Sequence, residues 1–259
     1  MIENTIKQAL SDLHLGGLLF FQKTNSTNDE AKLWAMNDAP DLSLVYAEKQ
    51  THGRGRGSRT WITRPGSALA FSLILHTGAG EEKHLQKFTA LGALAVCDAV
   101  NSLGLPAKIK WPNDVLLNGR KFCGILAETS WMDATPLHVI LGIGVNVGSA
   151  SVPTTEVLNF PATSLESESG KNFDRLSLLH QIVQNIISLR TQIGGDGFMT
   201  AWEKNLAFMG EQVVLQGGSE GDQVGWVEGL AHDGSLKLRA PDGEHFSVQW
   251  GEIHLHPLV

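Results

Sequence analysis

Cysteine is scarce in this 259-residue sequence. The two present, Cys97 and Cys123, sit in apolar runs. With no Cys/His ligand spacing between them, they read as buried core thiols rather than as a disulfide or a zinc site. Positive charge is also in short supply, since 20 Lys and Arg stand against 27 Asp and Glu for a net charge of −7. Duplex binding leans on a basic surplus, so that balance argues against a general nucleic-acid coat, and any anion site must be local. Long apolar runs are missing as well. Residues 68–75 form one of the longest, far short of the ~18 that a membrane span needs. The first residues place Glu3 where a signal peptide would carry basic side chains. The chain is therefore expected to be cytoplasmic, with no membrane partner. Repeats and low-complexity tracts are lacking too. What remains, 42% hydrophobic and 18% charged, can bury a sizeable core, which excludes disorder for the bulk of the chain.

Hydrophobic periodicity divides the chain into elements. Ile2, Ile6, Leu10 and Leu13 mark a short amphipathic helix, and residues 18–21 a strand. Ser26-Thr27-Asn28 before Asp29 and Glu30 reads as a helix start with a capping residue and early acids. Strands are expected at 44–47 and 68–75, a long helix at 82–103, and strands at 107–111 and 114–117. Asn118-Gly119 is a hairpin signal leading into a strand over 122–128. A further strand covers 138–147, a Pro/Ser/Thr-rich excursion covers 149–170, and helices follow at about 174–192 and 196–207. Beyond Gly210 the text changes to short β-runs separated by Gly-containing turns, as in a small β-barrel appended to a mixed α/β domain.

Three segments carry chemistry. His52-Gly53-Arg54-Gly55-Arg56-Gly57-Ser58-Arg59-Thr60-Trp61 packs three arginines into six residues of an acidic chain. Glycines let backbone N–H groups turn toward an anion, and arginines offer planar donors to carboxylate or phosphate. Trp61 adds a flat face for a purine. A loop of this kind between two strands reads as a mobile anion-binding loop rather than a linker. In the second segment, Lys110-Trp111-Pro112-Asn113-Asp114 and Arg120-Lys121 through Gly124, the hairpin brings Asp114 and Lys121 together. That pair suits stabilisation of charge at phosphorus, or is simply an exposed cross-strand ion pair. In the third, Gly142-Ile143-Gly144-Val145-Asn146, two glycines on one face serve either close packing or a ligand lying against the strand.

These segments, with Ser26-Thr27-Asn28, occur in the order found in biotin protein ligases, and from about residue 18 to Gly251-Glu252-Ile253 the chain resembles that family. The resemblance implies an α+β fold: a mixed β-sheet with helices packed on one side, of the class II synthetase-like biotin/lipoate ligase type. A catalytic domain would span residues 1–208, and a C-terminal barrel of the Src-homology-3 type residues 209–259. It also implies an enzyme that joins biotin to ATP, releases pyrophosphate and passes biotin to a lysine of a biotin carboxyl carrier protein. Magnesium would accompany ATP, no prosthetic group would be bound, and the protein would be a monomer or homodimer.

By the same resemblance, Ser26, Thr27, Asn28 and Gln50 border biotin, with Gly53, Arg54, Gly55, Arg56, Lys121 and Gly124. Arg56 and Arg59 meet the carboxylate and phosphates. Trp61, Asn113, Gly142 and Asn146 fall on the nucleotide side. Lys121, Arg56 and Asp114 are the expected catalytic groups: Lys121 at the α-phosphorus, Arg56 as the lid contact, Asp114 as base toward the carrier lysine. The chain departs from the family pattern at Gly57-Ser58, which stands for x-Gly, and at His256, which stands where a close relative would have Arg. Ser26 lies too near Met1 for a preceding DNA-binding winged helix, so a ligase without a repressor, and no DNA partner, is expected. The Arg-Arg-x-Ser-Gly-Gly-Gly pattern of lipoate or octanoate transfer is missing.

Overall fold

A mixed seven-stranded sheet carries most of the chain in the computed structural model, which describes residues 2–57, 59–78, 80–132, 135–153, 160–216, 221–249 and 254–257. Its strands are β1 (Gly17–Phe21), β2 (Ser43–Ala47), β3 (Ala68–His76), β4 (Ala107–Lys110), β5 (Asp114–Leu117), β6 (Arg120–Met132) and β7 (Thr135–Asn146). They lie in the order β1-β2-β3-β7-β6-β5-β4, with β1 and β2 parallel and every other pair antiparallel. Strands β2 and β3 are buried along nearly their whole length, because both faces of the sheet are covered there. Continuous apolar runs such as Ala68-Leu69-Ala70-Phe71 follow from that double burial.

Helices α3 (Lys87–Ser102) and α5 (Arg175–Arg190) cover one face, and α1 (Ile2–Ala9) packs against α5. Gly92 lets α3 approach the sheet closely, since a Cβ there would press on Ile125 and Leu141. The expectation of helices on one side is corrected by α2 (Thr27–Ala35). Its Ala31 and Ala35 pack with Ala39 against Val45, Ile74 and Ile140 on the opposite face. Small residues let α2 lie close to the strands, and that closeness brings its N-terminus to the site.

Boundaries also shift. Helix α1 stops at Ala9, although Leu10 and Leu13 still enter the core from the turn that follows. The segment expected as one helix from 82 divides into a 3-10 turn, Glu81–His84, and α3. The 149–170 excursion holds a 3-10 turn, Ser149–Ser151, and the short α4 (Leu165–Ser169).

Beyond α6 (Asp196–Lys204) lies a second, antiparallel sheet in the order β11-β10-β9-β8-β12. Its strands are β8 (Gln212–Gln216), β9 (Gln223–Leu230), β10 (Leu236–Arg239), β11 (His245–Val248) and β12 (His254–Pro257). Gly251-Glu252-Ile253 and the His256 side chain lie outside the described residues. Polar contacts tie the second sheet to the β4–β5 turn and to α6. Trp111 Nε1 donates to the Gly234 carbonyl at 3.1 Å, and the Leu230 amide donates to Glu203 Oε2 at 2.8 Å. The edge of β4 is occupied by residues 205–207, through Ile109 N–H to Asn205 O and Ala207 N–H to Ile109 O, which leaves no exposed ladder there.

Candidate active site

The β5–β6 hairpin turns at Asn118 (φ 48°) and Gly119 (φ 73°), both in the left-handed region that a two-residue hairpin turn demands. Its register then slips. Leu116 opposes Lys121, but Val115 opposes Cys123 and Asp114 opposes Gly124, so Phe122 is the extra residue of a β-bulge. The bulge lets consecutive Phe122 and Cys123 both bury in the core while Lys121 and Gly124 face the same side. A Cβ on Gly124 would contact the Lys121 ammonium and the Trp61 ring.

The Lys121 ammonium lies 2.5 Å from Asp114 Oδ1, and Lys110 lies 3.5 Å from Asp114 Oδ2. Asp114 is 5% exposed, so the exposed-pair alternative is excluded. Burial alone would raise the Asp114 carboxyl, yet Lys121 and Lys110 outweigh it and hold the group below its ordinary pKa. Burial lowers Lys110, opposed by Asp114. The Lys110 ammonium also lies 4.3 Å from the Phe160 ring centroid, and that of Lys121 5.7 Å from Trp61. Lys121 is further fixed through its backbone: its N–H donates to Pro161 O and its carbonyl accepts from Thr163 N–H.

The α2 N-terminus supplies uncharged polar groups. The Thr27 N–H donates to Gln50 Oε1 at 2.8 Å, and Gln50 Nε2 donates to Thr63 Oγ1 at 3.1 Å. Ser26 holds the N-cap position with extended backbone, yet its side chain makes no cap hydrogen bond. Asn28 is 4% exposed. Its Nδ2 donates to Glu128 Oε2 at 2.8 Å, and its Oδ1 bonds the Ser72 hydroxyl at 2.6 Å.

The two β7 glycines line the cavity, and each leaves room for a side chain of the protein. A Cβ on Gly142 would overlap the Asn28 amide, and one on Gly144 would overlap the Trp61 indole. Gly142 therefore makes room for a protein side chain. Asn146 Nδ2 donates to Thr163 O at 3.1 Å, and Asn113 Nδ2 donates to Ile125 O at 3.0 Å, so both are tied to backbone.

Arg54 and Thr60 form an antiparallel bridge, and Gly55 N–H donates to Arg59 O at 2.8 Å. Gly57 takes φ 64°, in the left-handed region. Gly53 closes the base. A Cβ there would overlap the Trp61 carbonyl, and its own carbonyl accepts from Trp61 N–H. Arg54 is engaged by carboxylates of the protein itself, Asp29 and Glu128, each at 2.7 Å.

These elements enclose a cavity of about 700 Å³. Every residue that the resemblance assigns to biotin, nucleotide or catalysis lines it except Gly53, which is buried. Lys110 and Phe160 line it too and were not singled out as site residues. Lys110 had a signal, a lysine between Ile109 and Trp111 in a core strand. Phe160 had none, lying in the Pro/Ser/Thr-rich excursion.

Residues 20–146 match the Biotin/lipoate A/B protein ligase family. The chain is 35% identical over 231 residues to the biotin–[acetyl-CoA-carboxylase] ligase of Paracoccus denitrificans, covering 85% of this chain and 93% of that protein. It therefore belongs to this ligase family. Within the family it groups with the biotin protein ligases. It is 39% identical over 183 residues to the bifunctional ligase/repressor BirA of Bacillus spizizenii, covering 70% of this chain and 56% of that protein. It thus spans about half the length of the Bacillus relatives. Biotin protein ligase from Aquifex aeolicus in complex with biotin and ATP superposes with a TM-score of 0.80 at 28% identity, over 93% of this chain and 99% of that one.

Proposed function

We propose that the chain is an ATP-dependent biotin ligase. The biotin carboxylate attacks the α-phosphorus of ATP, forming biotinyl-5′-adenylate and releasing pyrophosphate. A lysine amine of a biotin carboxyl carrier protein then attacks the acyl carbon and releases AMP. The observation that carries this reading is the division of the cavity into two chemistries. One end holds Ser26, Thr27, Asn28 and Gln50, hydrogen-bonding groups without charge, suited to a neutral ureido ring in a largely apolar slot. The other holds Lys121 and Lys110 around Asp114, with Arg56 and Arg59 on the loop above. Attack of a carboxylate on a triphosphate brings like charges together, and fixed cations lower that barrier.

Lys121 meets the α-phosphate, and Trp61 and Asn146 border the adenine. Asp114, ion-paired to two lysines and held below its ordinary pKa, is a weak base, so its role is to orient Lys121 and Lys110. Among the described residues no three His, Cys, Asp or Glu cluster to hold a metal. Magnesium fits this donor set as an ion carried by the triphosphate, a common arrangement for Mg²⁺. The β8–β12 sheet is read as the Src-homology-3-type barrel, with the boundary at 208/209 where α6 gives way to β-runs. No helix of the described residues is long and apolar enough to cross a membrane, and we place the enzyme in the cytoplasm.

Exchange of labelled pyrophosphate into ATP tests the reading. Exchange that requires biotin, followed by biotin transfer to a carrier domain, is expected. Exchange that proceeds without biotin, or with lipoate in its place, would overturn it.

A further inference from the structure

We propose that Arg54 is a positioning residue of the cavity loop, clamped between Asp29 of α2 and Glu128 of β6 and so holding the start of the loop over the cavity. Nη1 donates to Asp29 Oδ1 and Nη2 to Glu128 Oε1, each at 2.7 Å. The two nitrogens of one planar group thus tie the loop to a helix and a strand at once. The base of the loop is bonded separately, Thr51 N–H to Thr24 O and His52 N–H to Asn25 O. Among the loop's described residues between Arg54 and Thr60, none is buried, and the Arg54–Thr60 bridge and the Gly55–Arg59 bond run within the loop itself. The clamp continues into the cavity floor, because the second Glu128 oxygen accepts from Asn28 Nδ2 and Asn28 Oδ1 bonds Ser72. Glu128 therefore links the position of the loop to the Asn28 rotamer.

Both acids are partly exposed, so each contact is weak and screened by salt. Weak holding suits a segment that must open for ligands to pass. Lysine cannot replace this function in full, since one ammonium lacks the guanidinium's two-sided fork.

The test is hydrogen exchange at the Gly55 and Trp61 amides in the ligand-free full chain, with β7 amides as a control for folding. Arg54→Met is expected to speed loop exchange about ten-fold, Asp29→Asn about three-fold because Glu128 remains, and Arg54→Lys by an intermediate amount. Raising NaCl to about 0.5 M should speed exchange in wild type and leave Arg54→Met unmoved. Loop exchange in Arg54→Met equal to wild type would overturn the clamp. A kinetic arm rests on the ligase reading: the KM for biotin should rise by more than kcat falls, with partial rescue in Arg54→Lys. If wild type shows no biotin-dependent exchange of pyrophosphate, the ligase reading fails, and the amide measurement still decides the clamp.

Discussion

Two cation-bearing segments meet at the cavity, and different forces hold them. The hairpin of 110–126 is sewn in by backbone bonds on both sides, and its charges surround a carboxylate that is almost wholly buried. The loop that begins at residue 51 is bonded at its base to Thr24 and Asn25, and Arg54 reaches α2 and β6 through partly exposed ion pairs. The buried cluster is costly to disturb but fixes the geometry of Lys121, as charge stabilisation in a transition state requires. The loop is cheap to displace, as a lid must be. Arginine count alone does not distinguish the two. What counts is whether each cation already has a carboxylate of its own, and how deeply that carboxylate is buried.

The largest expected effect breaks the hairpin side. Lys121→Ala removes the cation nearest the proposed reaction and should slow adenylate formation about 10²–10³-fold, with biotin binding reduced far less. Single-turnover formation of the adenylate measures it, and a rate near wild type would remove Lys121 from the chemistry. Next is Asp114→Asn, which strands the buried Lys110 and its neighbour without a counter-charge. Breaking a buried pair costs about 3 kcal/mol or more, so Tm should fall by roughly 6–12 °C for a chain of this size. Adenylate synthesis and transfer from preformed adenylate should fall together. A loss confined to transfer would make Asp114 the base toward the carrier lysine instead.

Much of this was legible in the sequence, for reasons that can be located. The charge pattern of Gly53–Trp61, the Asn118-Gly119 turn and the Lys110–Asp114 run mark where the cavity residues lie, because turns and isolated charges are local signals. The seat that Gly142 makes for Asn28 was not legible, because that side chain comes from a helix over a hundred residues away. The Arg54 contacts were out of reach of the sequence for the same reason: Asp29 and Glu128 are 25 and 74 residues distant. The bulge at Phe122, which sets the facing of Lys121, emerges only when three strands are in register.

Acid stability offers a milder way to sharpen the contrast. The folded pKa of Asp114 is depressed, so its contribution is fully present above the unfolded value of about 3.9 and is lost as pH falls through the folded value. Thermal unfolding followed downward from about pH 5 should show Tm falling below about pH 4. Part of that slope should vanish in Asp114→Asn. An unchanged slope in the variant would show that other carboxylates, such as Glu48 beside Arg175, govern the acid limb.

The smallest effect concerns two helix starts. Asp174 caps α5, accepting the Ser177 N–H at 2.6 Å. Removing such a cap costs about 1 kcal/mol, so Asp174→Ala should lower Tm by roughly 2–4 °C. Ser26 occupies the same position on α2 but makes no cap bond, and it lines the cavity. With no cap bond to lose, Ser26→Ala should change stability by less than about 0.5 kcal/mol. Biotin affinity should nevertheless fall roughly five- to ten-fold, the net worth of about one hydrogen bond. The physical point is that the Ser26 hydroxyl, unused by the helix's own amides, has its donor and both lone pairs available to a ligand. Calorimetric unfolding and biotin titration on both variants decide the matter: if Ser26→Ala loses as much stability as Asp174→Ala and binds biotin as wild type does, the α2 N-terminus is structural and the uncharged end of the cavity must lie elsewhere.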